Sequence, residues 1–272
     1  MKNTLFKIYY GPAFKAAHVD RRIISVPFSL RSFDGWTILF MTDLHLSRMF
    51  PEHALKSLIN QANALNPYVV CLGGDFAETG DYQRLAVEFL SNLKSRVGAF
   101  AVLGNNDLEH FYHNSHGFVA ELKKAGIVAL VDTEAHIDLP DGARFRVAGL
   151  NSLTKHTTPA NPFFADSGEN DFRLLLAHYP KSIQIHMKEC ASAPHLALAG
   201  HTHGGQFRLL GVSPYNIGFE RTKTCRDLPV SGWGEPLGFP MLVSPGVGTS
   251  RLPFRLNVAP EIHLITLKCA ET

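Results

Sequence analysis

The sequence predicts an α/β fold built as a four-layer αββα sandwich, two mixed sheets packed together with helices outside. Three observations lead there. Apolar runs of strand length alternate with amphipathic stretches through the first half, and strands dominate the second. The chain has 272 residues, 45% of them hydrophobic and 18% charged, enough to bury a substantial core. Polar residues suited to metal ligation fall just past the ends of apolar runs, where open α/β sheets bind their ligands.

In chain order, residues 23–28 and 37–41 read as strands. Residues 51–65 place Leu55, Leu58, Ile59 and Ala62 on one stripe, which predicts an amphipathic helix. Residues 81–93 repeat the pattern through Leu85, Ala86, Phe89 and Leu90. Shorter helices are expected over 117–124 and 181–187. Apolar runs at 69–72, 100–103, 127–131, 144–148, 172–177, 196–199, 241–244 and 262–267 supply the remaining strands. The Pro- and Gly-rich stretch 211–238 reads as a long surface loop and a cap over the active site. No internal repeat or low-complexity segment stands out.

The balance of 26 Lys and Arg against 24 Asp and Glu, a formal +2, argues against dedicated nucleic-acid binding and is compatible with a small anionic substrate. The start of the chain is less ordinary. Lys2, Lys7, Lys15, Arg21, Arg22 and Arg31 face Asp20 alone, interleaved with Phe6, Tyr9, Tyr10, Phe14 and Phe28. A solvated edge with a few core anchors accounts for this, and so does a patch resting on an anionic membrane surface. No apolar run approaches the length of a bilayer span, and Lys2, Lys7 and Pro12 make the start a poor signal peptide. Cys71, Cys190, Cys225 and Cys269 are far apart, without metal-type pairing, and read as reduced structural thiols. The expected location is therefore cytoplasmic, with peripheral contact at the inner face of the membrane.

Five blocks carry the chemistry: Thr42-Asp43-Leu44-His45, Gly73-Gly74-Asp75, Gly104-Asn105-Asn106-Asp107, Ala177-His178 and Gly200-His201-Thr202-His203-Gly204. Taken singly, an Asp-x-His or a Gly-Asp after a strand is more often a turn or a helix cap. The last block says more, since its glycines let the backbone approach closely while one turn presents two imidazoles. All five sharing the same strand-then-turn setting is what removes the ordinary reading.

The series resembles the calcineurin-like metallophosphoesterases, whose pattern runs Asp-x-His, Gly-Asp, Gly-Asn-His-Asp/Glu, His, Gly-His-x-His. The stretches from Gly200 to Gln206 and from Gly248 to Arg255, with Pro260-Glu261-Ile262 after them, look like bacterial small phosphodiesterases and the related UDP-2,3-diacylglucosamine pyrophosphatases. The expected organisation is a basic, aromatic N-terminal segment over residues 1–21 and a single metallophosphoesterase domain over 22–272. The resemblance implies that Asp75 bridges two divalent metal ions. Asp43, His45 and His203 would complete one metal and Asn105, His178 and His201 the other. Ions about 3.5–4 Å apart can activate a water and stabilise both oxygens of an in-line phosphoryl displacement. Oxygen and imidazole ligands without cysteine suit manganese, iron or zinc alike, and the resemblance to bacterial members of the family puts manganese first.

One position departs from the family. Asn106 stands where a histidine usually helps to protonate the leaving oxygen. An amide can donate a hydrogen bond to phosphate but delivers no proton at neutral pH. A phosphate leaving group needs less protonation than an alkoxide, so Asn106, taken as the catalytic-site residue, tilts the expectation toward a pyrophosphate substrate. His110, His113 or His116 is the alternative acid. Arg48 and Arg208 are expected to contact substrate phosphate, and Arg251 and Arg255 share that ambiguity with a surface ion-pair role. The expected partner is thus an anionic, phosphate-containing molecule such as a lipid-linked nucleotide. The favoured reaction converts UDP-2,3-diacylglucosamine to UMP and a lipid phosphate, a step of lipid A synthesis. The alternatives are a broad phosphodiesterase on soluble nucleotides or glycerophosphodiesters, and a metal-binding interaction scaffold without turnover.

Overall fold

The computed structural model describes residues 7–10, 14–50, 52–109, 115–150, 162–187, 190–210, 212–213 and 228–270. Strands β1 (Ile8–Tyr10), β2 (His18–Val26), β3 (Thr37–Met41), β4 (Val69–Leu72), β5 (Gly98–Ala101) and β6 (Ile127–Ala129) come first. Helices α1 (Glu52–Ala64), α2 (Gly80–Leu90), α3 (Asn105–Glu109) and α4 (Ser115–Lys124) alternate with them. Then follow β7 (Thr133–Asp138), β8 (Arg144–Leu150), β9 (Phe172–Ala177), α5 (Pro180–His186) and β10 (Leu196–Ala199). Four strands close the chain: β11 (Gly232–Gly234), β12 (Met241–Val243), β13 (Phe254–Leu256) and β14 (Glu261–Cys269).

The first large sheet has the order β2-β14-β3-β4-β5-β6, and the second β11-β12-β10-β9-β8-β7. Both are mixed. In the first, β14 runs parallel to β2 and antiparallel to β3, while β3 to β6 are parallel. In the second, antiparallel edge strands β7 and β11 flank a parallel centre. A third, two-stranded sheet pairs β1 with β13.

Alternation along each strand assigns its residues to layers. In β3, Ile38 and Phe40 meet Phe145, Val147, Phe172 and Leu174 of the second sheet. Leu39 and Met41 point the other way, onto Leu55, Leu58 and Ala62 of α1 and the packed faces of α2 and α4. On the far side, α5 sets Ile183 against Leu175, Ala177, Ala197 and Ala199. These are the four layers the sequence predicts. Central strands buried on both faces need continuous apolar runs, which is why they are so readable. Each such Leu or Phe stabilises the fold by about 1.5–3 kcal/mol relative to an exposed one.

Two differences from expectation concern edges. The strand expected over 23–28 begins instead at His18 and stops before Pro27, and a 3₁₀ segment takes Phe28–Phe33. Its first half is largely exposed, so no apolar pattern marks it. β7, half-exposed along its length, lies on the edge of the second sheet and carries no apolar run either. Within the expected loop 211–238, β11 forms a short edge strand, while 214–227, with Cys225, lie outside the described residues, so the cap expectation does too. Cys71 and Cys269 are free thiols. Among the described residues no helix is long and apolar enough to cross a membrane.

Candidate active site

The loops that leave β3, β4, β5, β9 and β10 converge at one end of the sandwich. Asp43, His45, Asp75, His201 and His203 all adopt left-handed backbone, with φ between 45° and 70°. Such a conformation costs a non-glycine residue about 1–3 kcal/mol and persists only where the surroundings over-determine it. Here they do. Asp43 N donates to Gly74 O at 2.9 Å, His45 N to Asp75 O at 3.0 Å and Gly248 N to Asp43 O at 2.7 Å. His201 N donates to Asp43 Oδ2 at 3.0 Å, tying the second sheet's loop to the first. Close packing also demands glycine at 104, where a Cβ would collide with the Asp75 carboxylate.

The side chains gather in two buried groups, Asp43 with His45 and His203, and Asp75 with His178 and His201. In each, the ligand atoms lie within 4.8 Å of one another. His203 Nε2 is 3.6 Å from Asp43 Oδ1, and His201 Nδ1 is 3.2 Å from His178 Nε2. Asp75 Oδ2 is 3.4 Å from His45 Nε2 and 3.4 Å from His178 Nε2, which places it between the groups. Asn105 opens α3 beside the second group, its Oδ1 accepting from Tyr179 Oη at 3.1 Å.

Hydrogen bonding behind the imidazoles fits a cation in front of them. His45 Nδ1 meets Glu78 Oε1 at 2.5 Å, while its buried Nε2 has no hydrogen-bond partner and faces Asp43 and Asp75. His178 Nδ1 donates to Gly73 O at 2.8 Å, leaving Nε2 toward Asp75. Anchoring one ring nitrogen so that the other serves as ligand is the usual support of a metal-bound histidine. The donor set, carboxylate oxygen and imidazole nitrogen, suits divalent transition ions.

The electrostatics follow from this crowding. Burial alone would lower the His45 pKa, but the Asp43 and Glu78 carboxylates beside its two ring nitrogens and the Asp75 charge outweigh it and raise it to about 10. His178, buried but facing Asp75, rises to about 9. Burial would raise both carboxyls, yet the imidazoles, chiefly His203 for Asp43 and His178 for Asp75, hold them below the ordinary range.

Several residues take parts that sequence reasoning did not assign. Glu78, three positions past Asp75, supports His45. Asp107 is buried and accepts from Asp75 N, Phe76 N and Gly104 N at 2.7–2.9 Å, binding two of the loops together. Burial and the neighbouring Asp75 charge push its pKa up to about 7. It stands inside the Gly-Asn-Asn-Asp block, so the signal was present. Arg255 is fully buried behind His203, donating to Gly248 O at 2.6 Å. Asn106 grips Asp75 twice, through N to Oδ1 and through Nδ2 to Oδ2, both at 2.9 Å.

Arg48 and Arg208 stand outside the two Asp and His groups. Arg48 is exposed on the turn after His45. Arg208 is half-buried and donates to Gly204 O at 2.9 Å and Ser231 Oγ at 2.6 Å, bracing the His-x-His loop. His110 and His113 lie outside the described residues, as does the side chain of His116.

Fold and site together define a metal-dependent phosphoester hydrolase. The calcineurin-like phosphoesterase family matches residues 37–205, more than half of the sequence, and the chain belongs to that family. Escherichia coli phosphodiesterase YaeI is 32% identical over 232 residues, covering 85% of this chain and 81% of its own. The uncharacterized Bacillus subtilis metallophosphoesterase YkuE is 26% identical over 239 residues, covering 87% and 80%. Among solved structures, the phosphopantetheinyl hydrolase PptH of Mycobacterium tuberculosis superposes with a TM-score of 0.46 at 12% identity, covering 78% of this chain and 89% of that one.

Proposed function

We propose that this enzyme hydrolyses a phosphodiester or pyrophosphate bond with two divalent cations held across the seam between its sheets. Asp43, His45 and His203 would hold one, Asn105, His178 and His201 the other, and Asp75 would be shared. The observation that carries this reading is Asp75 Oδ2, 3.4 Å from an imidazole nitrogen of each group. Bound there, the cations would polarise phosphoryl oxygens, lower the pKa of a water and stabilise the entering and leaving oxygens. The chain's own contribution is orientation. Asn106 clamps Asp75, Glu78 and Gly73 O fix the two imidazoles, and Asp107 ties the loops behind them. Arg48 and Arg208 stay as candidate phosphate contacts.

Manganese is the favoured ion, with iron and zinc compatible with the same donors. Metal content after native purification decides among them. The functional test is Asp75→Asn, assayed on bis-nitrophenyl phosphate with manganese. Loss of most turnover and of metal, with the circular dichroism spectrum retained, is expected. Normal stoichiometry and near-normal turnover would remove Asp75 from the shared position, and an inactive wild type would favour the scaffold reading.

For the substrate we favour a nucleotide-linked pyrophosphate, with UDP-2,3-diacylglucosamine as the candidate and UMP and a lipid phosphate as products. Asn106 supports this, because a phosphate leaves without the proton an amide cannot supply. That substrate fits an enzyme working in the cytoplasm against the inner membrane face, where Lys7, Lys15 and the neighbouring aromatic residues would meet anionic lipid. A phosphodiesterase acting on soluble nucleotides or glycerophosphodiesters is the second reading, favoured by the likeness to YaeI. Detergent-presented UDP-diacylglucosamine separates the two.

A further inference from the structure

The segment that leaves the His-x-His loop ends in an unusual turn. Phe207 bridges to Leu256, and Arg208 N donates to Leu256 O at 2.9 Å, so the chain runs beside β13. It then reverses between Leu209 and Val212, whose backbone groups bond each other in both directions at 2.9 Å. Leu210 at the tip is 89% exposed, Leu209 55% and Val212 49%. Ile8, which pairs with Leu256 from β1, is 51% exposed. Leu252, whose carbonyl accepts from Gln206 Nε2 at 3.1 Å, is 49% exposed. Five large aliphatic side chains thus surface at one corner, where water contact is unfavourable and a cluster of this kind marks an interaction site.

The charge around the corner selects the occupant. The described segments that build it, 7–10, 206–210, 212–213 and 249–258, contain no Asp or Glu, whereas Lys7, Arg208, Arg251 and Arg255 lie within them. Lys7 and Arg251 are exposed, while Arg255 is buried behind His203. Leucines on a turn tip with cations and no carboxylate are the pattern that enters the boundary between acyl chains and anionic headgroups.

We propose that the Leu209–Leu210 turn, with Ile8, Val212 and Leu252, inserts into an anionic lipid surface and seats the active site on the membrane. The turn is joined through Gln206 and Gly205 to His203, so insertion would hold the metal-binding loop beside the headgroups. The substrate class this selects is a phosphodiester or pyrophosphate carried on a lipid. That step rests on the hydrolase reading above, while the surface itself does not.

The test uses the full chain with vesicles of phosphatidylglycerol and phosphatidylcholine, and of phosphatidylcholine alone. Co-sedimentation with the anionic vesicles, weakened by salt, is expected. Leu209→Ser combined with Leu210→Ser should weaken binding by at least about tenfold, because each leucine withdrawn removes apolar burial in the boundary. Lys7→Glu should weaken it too. Hydrolysis of soluble bis-nitrophenyl phosphate by the leucine variant should match wild type, which also shows that it folds. Absence of vesicle binding, binding equal on both vesicle types, or binding unchanged in the leucine variant would each overturn the proposal. So would a dimer of the wild type that the same variant dissolves, since the patch would then be covered by a second copy. Failure of the hydrolase reading appears separately, as a wild type inactive on the soluble ester.

Discussion

Glu78 Oε1 lies 2.5 Å from His45 Nδ1, so one nitrogen of that imidazole is committed to a carboxylate while the other faces Asp43 and Asp75. The two residues are 33 positions apart and meet only because Leu46 and Ala77 bridge the loops after β3 and β4.

Glu78→Gln should therefore weaken metal binding without unfolding the protein, since the Glu78 side chain is one-third exposed. Removing a carboxylate behind a ligating histidine typically costs about 10–100-fold in metal affinity. A competition titration with a chromogenic chelator measures it. Affinity within twofold of wild type would mean that His45 is oriented by packing alone.

Asn106→His tests the leaving-group reasoning. If the enzyme dispenses with a proton donor because a phosphate departs, the new imidazole should do little for a pyrophosphate yet help an alkyl phosphodiester. General acids contribute about 10²–10⁴-fold, so partial recovery is measurable. Asn106 also donates to Asp75 Oδ2, and metal content has to be checked alongside. Equal change on a pyrophosphate, a nitrophenyl ester and an alkyl diester would assign Asn106 to holding Asp75 and withdraw its support for a pyrophosphate.

The raised pKa values of His45, about 10, and His178, about 9, set a pH window for the metal-free protein. Both exceed the unfolded value of about 6.5, so the stabilisation they give is complete below that pH and is lost as pH rises through 9 to 10. Chelator-treated protein should lose part of its thermal stability over that range. Metal affinity should climb over the same range, because the ligands bind without their protons. Melting curves of the chelated form and metal titrations at matched pH test both directions. Chelated protein that melts higher as pH rises would reverse the assignment.

Legibility in the sequence followed burial. The strands at Thr37–Met41, Phe172–Ala177 and Leu196–Ala199 match their apolar runs end to end, because layers cover both of their faces. α1 announced itself through Leu55, Leu58, Ile59 and Ala62, all buried. β7 and the front of β2 did not, since sheet edges face water on one side and tolerate polar residues. The six Asp and His side chains of the two groups were readable because each follows a strand directly. Glu78 was not, nor was the place of Arg255 behind His203, for their partners are chosen by how loops cross in space.

The two Asp and His groups also have a mechanical meaning. Asp43 and His45 leave the first sheet while His203 leaves the second, and Asp75 leaves the first while His178 and His201 leave the second. Each cation would therefore be a rivet through both sheets, at the end where the interior carries buried charge instead of interleaved apolar side chains. Loss of the ions would leave that edge to direct bonds such as His201 N to Asp43 Oδ2 and His178 Nδ1 to Gly73 O, with the packed middle intact.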